Sequence, residues 1–132
     1  MIDAPYELDA DRRSLVLDGV QAACQYHRWR LLAAHVRTTH AHIVLSADGV
    51  RPDKVMNVLK AWASRDLNTL GIDGGRRRRW SRHGSTRYLW DDEQVGAAVR
   101  YTVEGQGKPM AVFVSAERSG EQTPGVLRRV RN

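Results

Sequence analysis

Cysteine is almost absent from this chain, lysine and proline are scarce, and no stretch is apolar enough to span a membrane. The single cysteine, Cys24, has no partner for an internal disulfide, which sets aside the stapled class of small secreted domains. It falls within a helical apolar pattern and reads as core filler. No run approaches the roughly 18 consecutive apolar residues of a transmembrane helix, so no membrane partner is expected. The opening residues, MIDAPYELDADRR, lack the basic start and apolar middle of a secretion leader, and the cytoplasm is the expected location. Internal repeats and the Gly-rich phosphate loops of nucleotide-binding proteins are also missing.

What is present is one domain's worth of core and a surplus of arginine. The chain has 132 residues, of which 42% are hydrophobic, enough for a single compact domain. Lysine and arginine outnumber the acids 21 to 15, and only Lys54, Lys60 and Lys108 are lysine. Arginine is the planar, bidentate partner of phosphate, so this bias with a pI near 10.1 favours a nucleic-acid partner over an acidic protein or a membrane.

Along the chain, Asp9 or Asp11 can cap a helix running to about His27, with Leu15, Val16, Val20, Ala23, Cys24 and His27 at three- and four-residue spacing. Residues 29–47, WRLLAAHVRTTHAHIVLSA, read as a β-hairpin turning at Arg37-Thr38-Thr39. Pro52 opens a second helix to about Leu70 that buries Val55, Met56, Leu59, Trp62, Ala63 and Leu67. Its other face carries Asn57, Lys60, Ser64 and Arg65, open to two readings: solvated surface, or contact with a phosphate backbone. In the loop that follows, Arg76, Arg77, Arg78, Arg79 and Arg82 surround Trp80. Basic residues interleaved with an aromatic suit single-stranded nucleic acid, the arginines meeting phosphates and the indole stacking on bases. Thr86 to Trp90 reads as a short strand, residues 91–104 as a third helix ended by Gly105 and Gly107, and 109–115 as a last strand. These spans make residues 1–115 the domain and 116–132 a flexible basic tail.

His40-Ala41-His42 carries the chemistry. Alternate residues of a strand share a face, so two imidazoles project side by side from a stiff backbone and can share one divalent ion. The plainer reading is a pair of ordinary strand histidines, and context must decide between the two.

The order of motifs supplies that context. His-x-His on a strand, a helix carrying MNVLKAWASRDLN, then RHGSTRYLW, then a helix ending YTVEGQG, together resemble the HUH-type single-tyrosine transposases of small bacterial insertion sequences and their repeat-associated relatives, over roughly residues 8–113. The resemblance implies an α+β, ferredoxin-like (RRM-like) sandwich, with an antiparallel sheet and its helices on one face. Only about eight residues precede the first helix here, so the usual first strand is missing, or is supplied by residues 109–115 or by a partner chain. It further implies a metal-dependent single-stranded DNA endonuclease and strand transferase that cuts hairpin-forming DNA through a 5′-phosphotyrosine link. Tyr101 would be the nucleophile, and His40 and His42 would hold Mg2+ or Mn2+. The third ligand is split. Members commonly place a glutamine four residues after the tyrosine, but Gly105 stands there, leaving Gln106 by residue type and Glu104 by helix geometry. The remaining implications are a homodimer and a nucleoid-associated location. The alternative is a non-catalytic nucleic-acid-binding module on the same fold, which needs neither the tyrosine nor the histidines.

Overall fold

The computed structural model describes residues 7–71, 86–88, 91–115 and 126–131, the segments 86–88 and 126–131 by their backbone. Helix α1 spans Ala10–His27. Asp9, the first of the two cap candidates, accepts from the Arg12 amide and starts the helix. Arg28 ends it in the left-handed region at φ 60°, its N–H turned back to the carbonyls of Cys24 and Gln25. The predicted apolar stripe is buried at Val16, Val20, Ala23 and Cys24, but His27 is exposed and stacks on Trp29 at 4.6 Å.

The hairpin forms as its sequence pattern requires. Strand β1 (Arg30–Val36) and strand β2 (His40–Ser46) are antiparallel, closed by the Arg37 amide donating to the His40 carbonyl at 2.8 Å. Leu8, in a stretch that reads as irregular, is nearly inaccessible, and its N–H donates to the Thr38 carbonyl, tying the entry to α1 onto the hairpin turn. Helix α2 (Pro52–Leu70) starts at Pro52 and ends at Gly71, whose φ of 74° suits a residue without a Cβ. Val55, Met56, Leu59, Ala63 and Leu67 are buried and Trp62 is half-buried, as the spacing predicts. Helices α1 and α2 approach closely at Gly19, where a Cβ would stand 3.4 Å from the Ala63 Cα and 3.0 Å from the Asp66 Oδ2.

The remaining elements are strand β3 (Thr86–Tyr88), helix α3 (Asp92–Glu104), strand β4 (Ala111–Val114) and strand β5 (Val126–Arg131). All five strands form one antiparallel sheet in the order β3-β5-β2-β1-β4. Two expectations are corrected here. Residues 109–115 do not take the place of a missing first strand, because β4 joins the outer edge beside β1. Residues 126–131 are not a loose tail; they form an interior strand between β2 and β3. Ladder hydrogen bonds come from the backbone, so three arginines in six residues do not prevent pairing.

The helices also divide between two faces of the sheet, not one. Ala34, Val36, Ala41, Ile43 and Leu45 pack into the main core with α1 and α2. Ala33 and Val44 face the other way and meet Val95 and Ala98 of α3 in a second, smaller cluster. By alternation His35, His40 and His42 share this second face. Among the described residues, no helix is long and apolar enough to cross a membrane.

Candidate active site

The two histidines project from the start of β2 toward the end of α3. Their rings stand edge to face with centroids 4.9 Å apart, His42 buried and His40 half-buried with its Nδ1 at 3.4 Å from the Thr39 hydroxyl oxygen. The Tyr101 ring meets the His42 ring edge to face at 5.8 Å, and Tyr101 remains 47% exposed. A strand and a helix 59 positions apart in number thus bring His40, His42 and Tyr101 into one row, with Tyr101 at its exposed end.

The end of α3 fixes how Tyr101, Gly105 and Gln106 are arranged. Asp91 caps the helix by accepting from the Gln94 amide at 2.8 Å, with Asp92 and Glu93 in the first turn, where the dipole favours acids. The helix stops at Glu104, and the Gly105 N–H donates to the Tyr101 carbonyl at 2.8 Å. Gly105 has an ordinary φ of −87°, so its lack of a side chain is a matter of space: a Cβ would stand 2.6 Å from Tyr101 Cδ1. Gln106 lies beyond the end of the helix. There Gln106 folds back, and its Nε2 donates to the Thr102 carbonyl at 3.0 Å. That carbonyl can only accept, so the amide's other end, Oε1, points away from it; Oε1 is buried and has no hydrogen-bond partner among the described residues. Glu104 is exposed, and it makes no metal-sized group with the histidines: no cluster of three His, Cys, Asp or Glu side chains suited to a metal occurs among the described residues.

His35 is the site residue that the sequence reading passes over. It stands opposite His42 in the ladder and is fully buried. Its Nδ1 donates to the Thr102 carbonyl at 2.9 Å, and its Nε2 accepts from the Met110 amide at 3.0 Å with the Arg37 guanidinium 3.3 Å away. Burial lowers its pKa, the bond to Thr102 opposes that, and the charge of Arg37 lowers it further. The ring is therefore neutral at pH 7, with its proton on Nδ1. One signal could have found it: a hairpin closing Arg37 onto His40 sets His35 opposite His42 by register alone.

Arg76, Arg77, Arg78, Arg79 and Arg82, with Trp80, lie outside the described residues. Lys60 is half-buried on α2, and burial lowers its pKa. Of the other tyrosines, Tyr26 is 72% exposed, its ring against Trp62 and His27; Tyr6 and the Tyr88 side chain lie outside the described residues. The register of β5 sets Arg129 opposite His42 and Arg131 opposite His40 in the backbone ladder.

No family model, no curated protein and no solved structure matches this chain.

Two imidazoles and an amide oxygen fit a divalent ion that accepts mixed nitrogen and oxygen ligands. Drawn onto one ion, His40, His42 and Gln106 Oε1 would make a mixed nitrogen and oxygen donor set that suits Mn2+ better than Mg2+, because the smaller ion prefers oxygen. Of the two candidate third ligands, Gln106 offers a buried oxygen without a hydrogen-bond partner among the described residues, and Glu104 an exposed carboxylate.

Proposed function

We propose that this chain is a metal-dependent single-stranded DNA endonuclease and strand transferase, a transposase-type enzyme of the HUH single-tyrosine kind. The observation that carries the reading is the row His40–His42–Tyr101, ring against ring, with the tyrosine half-exposed to an incoming strand. A binding module has no need for a phenol beside paired imidazoles. On this reading, the order β3-β5-β2-β1 with α1 and α2 on one face is a ferredoxin-like sandwich whose first strand comes from the C-terminal end of the chain. DNA hairpins are the proposed substrate and a homodimer the proposed assembly.

Tyr101 Oη attacks the scissile phosphorus. A bond from phosphorus to the tyrosyl oxygen forms, the bond to the 3′ oxygen breaks, and the DNA's 5′ end stays on the protein. The tyrosine hydroxyl gives up its proton and the departing 3′ oxygen gains one. Energy is conserved in the phosphodiester, so a second strand's 3′-OH can reverse the step and rejoin DNA without a nucleotide cofactor. A phenol with an ordinary pKa near 10 is a weak nucleophile at neutral pH. A bound Mn2+ or Mg2+ would supply Lewis-acid polarisation of the phosphate. His40 and His42 orient their nitrogens for that ion, while the clamped end of α3 holds Tyr101 beside them.

The test is to incubate the protein with pools of single-stranded DNA hairpins and Mn2+ and to look for a covalent adduct on a denaturing gel. The adduct is expected with the parent, and to be absent with Tyr101→Phe and with His40→Ala, both of which keep salt-sensitive DNA binding. Tight binding without any adduct would instead support a non-catalytic nucleic-acid-binding module.

A further inference from the structure

Helix α3 carries the tyrosine, and one carbonyl near its end receives two side-chain hydrogen bonds. Thr102 O receives the His35 Nδ1–H at 2.9 Å and the Gln106 Nε2–H at 3.0 Å. Thr102 is fully buried and follows Tyr101 directly, so the carbonyl position sets both the tyrosine's backbone and the amide's orientation. The second nitrogen of His35 has a separate duty: it accepts from Met110 N, which anchors the chain returning from α3 before β4. Arg37 adds a bond to the Lys108 carbonyl at 2.9 Å in the same return segment.

We infer that His35 is a positioning residue for the proposed metal and tyrosine site, acting through the Thr102 carbonyl to fix where Gln106 Oε1 and Tyr101 stand relative to His40 and His42. This rests on the reading of the site given above. The two ends of the imidazole separate the roles. Nδ1 positions the site, and Nε2 holds the return segment.

The readout is Mn2+ binding to the DNA-free protein, followed by electron paramagnetic resonance of the free ion, with thermal unfolding measured alongside. His35→Ala should weaken Mn2+ binding by about ten- to a hundredfold, the usual effect of removing a group that orients a ligand. His35→Asn puts an amide nitrogen near the place of Nδ1 and should recover most of that affinity. His35→Gln reaches the place of Nε2 and should recover thermal stability without the Mn2+ affinity. A purely structural His35 would make affinity follow stability in all three variants. Should His35→Ala fail to fold, the Asn and Gln variants decide: Mn2+ affinity no higher in Asn than in Gln overturns the inference. If the parent binds no Mn2+, or binds it equally in His40→Ala, the reading of the site itself fails and the inference falls with it.

Discussion

A methyl group on Gly105 would have to share space with Tyr101, because its carbon would lie 2.6 Å from the ring and 2.9 Å from the tyrosine's carbonyl oxygen. By backbone alone, Gly105→Ala at φ −87° should stabilise by roughly 0.4–1 kcal/mol through the unfolded chain. The clash is the larger effect, of the order of 1–3 kcal/mol for forced overpacking. Calorimetry of Gly105→Ala should therefore show a lower unfolding temperature, and adduct formation should drop as the ring is pushed off His42. Cys24 offers an independent residue-scale check: burial pushes its thiol up to about 12, so alkylation at pH 8 should require denaturant and then follow global unfolding. His35 gives a pH dependence with a definite sign. Its pKa is lowered in the fold from 6.5, so the unfolded chain takes the proton first as pH falls. Its contribution is complete above about 6.5 and is lost below it, as protonated Nε2 can no longer accept from Met110. The unfolding temperature of the metal-free parent should fall more steeply between pH 7 and pH 5 than that of His35→Asn.

At the scale of elements, the strands and helices divide by how much their own side chains reveal. The hairpin is legible because β-branched and apolar residues run up to a polar turn, and α2 because Pro52 and Gly71 mark its ends. Helix α3 is legible as a helix, but an apolar stripe says only that one face is buried, not which side of a sheet buries it. Strand β5 is hidden because Arg128, Arg129 and Arg131 mask a backbone that pairs on both sides. His35 is hidden within the apolar run of β1, where a lone imidazole looks like filler. The position of β5 makes a prediction that a tail reading would not. A chain ending at Ser115 loses the interior strand and exposes the β2 edge, so it should aggregate or lose cooperative unfolding, as size-exclusion chromatography and circular dichroism would show. A monodisperse, cooperatively folded truncation would contradict the interior placement.

For the whole molecule, the sheet works as a partition. The main core on one face, under α1 and α2, includes Val20, Ile43, Leu45, Leu59 and Leu67, all almost inaccessible, each aliphatic side chain contributing about 1.5–3 kcal/mol by burial. The other face has a small apolar patch under α3, and the polar ties at Thr102 and Met110 hold the helix end where that patch stops. On the proposed function, this division lets the larger core carry the fold while the lightly packed face would present His40, His42 and Tyr101 to a substrate. An arginine-rich chain with a net charge of +6 would attract a DNA strand, with an affinity that weakens as salt rises. The most direct measurement of the central claim is the mass of the covalently modified peptide. The protein is reacted with a single-stranded hairpin and Mn2+, the DNA is trimmed with nuclease, and the chain is digested with trypsin. Cleavage after Arg100 puts Tyr101 at the start of its own peptide, which runs to Arg118 because the Lys108–Pro109 bond resists the protease. The account predicts a nucleotide phosphate attached to Tyr101 alone; attachment to any other residue, or cleavage of the DNA with the peptide from Tyr101 unmodified throughout, would contradict it.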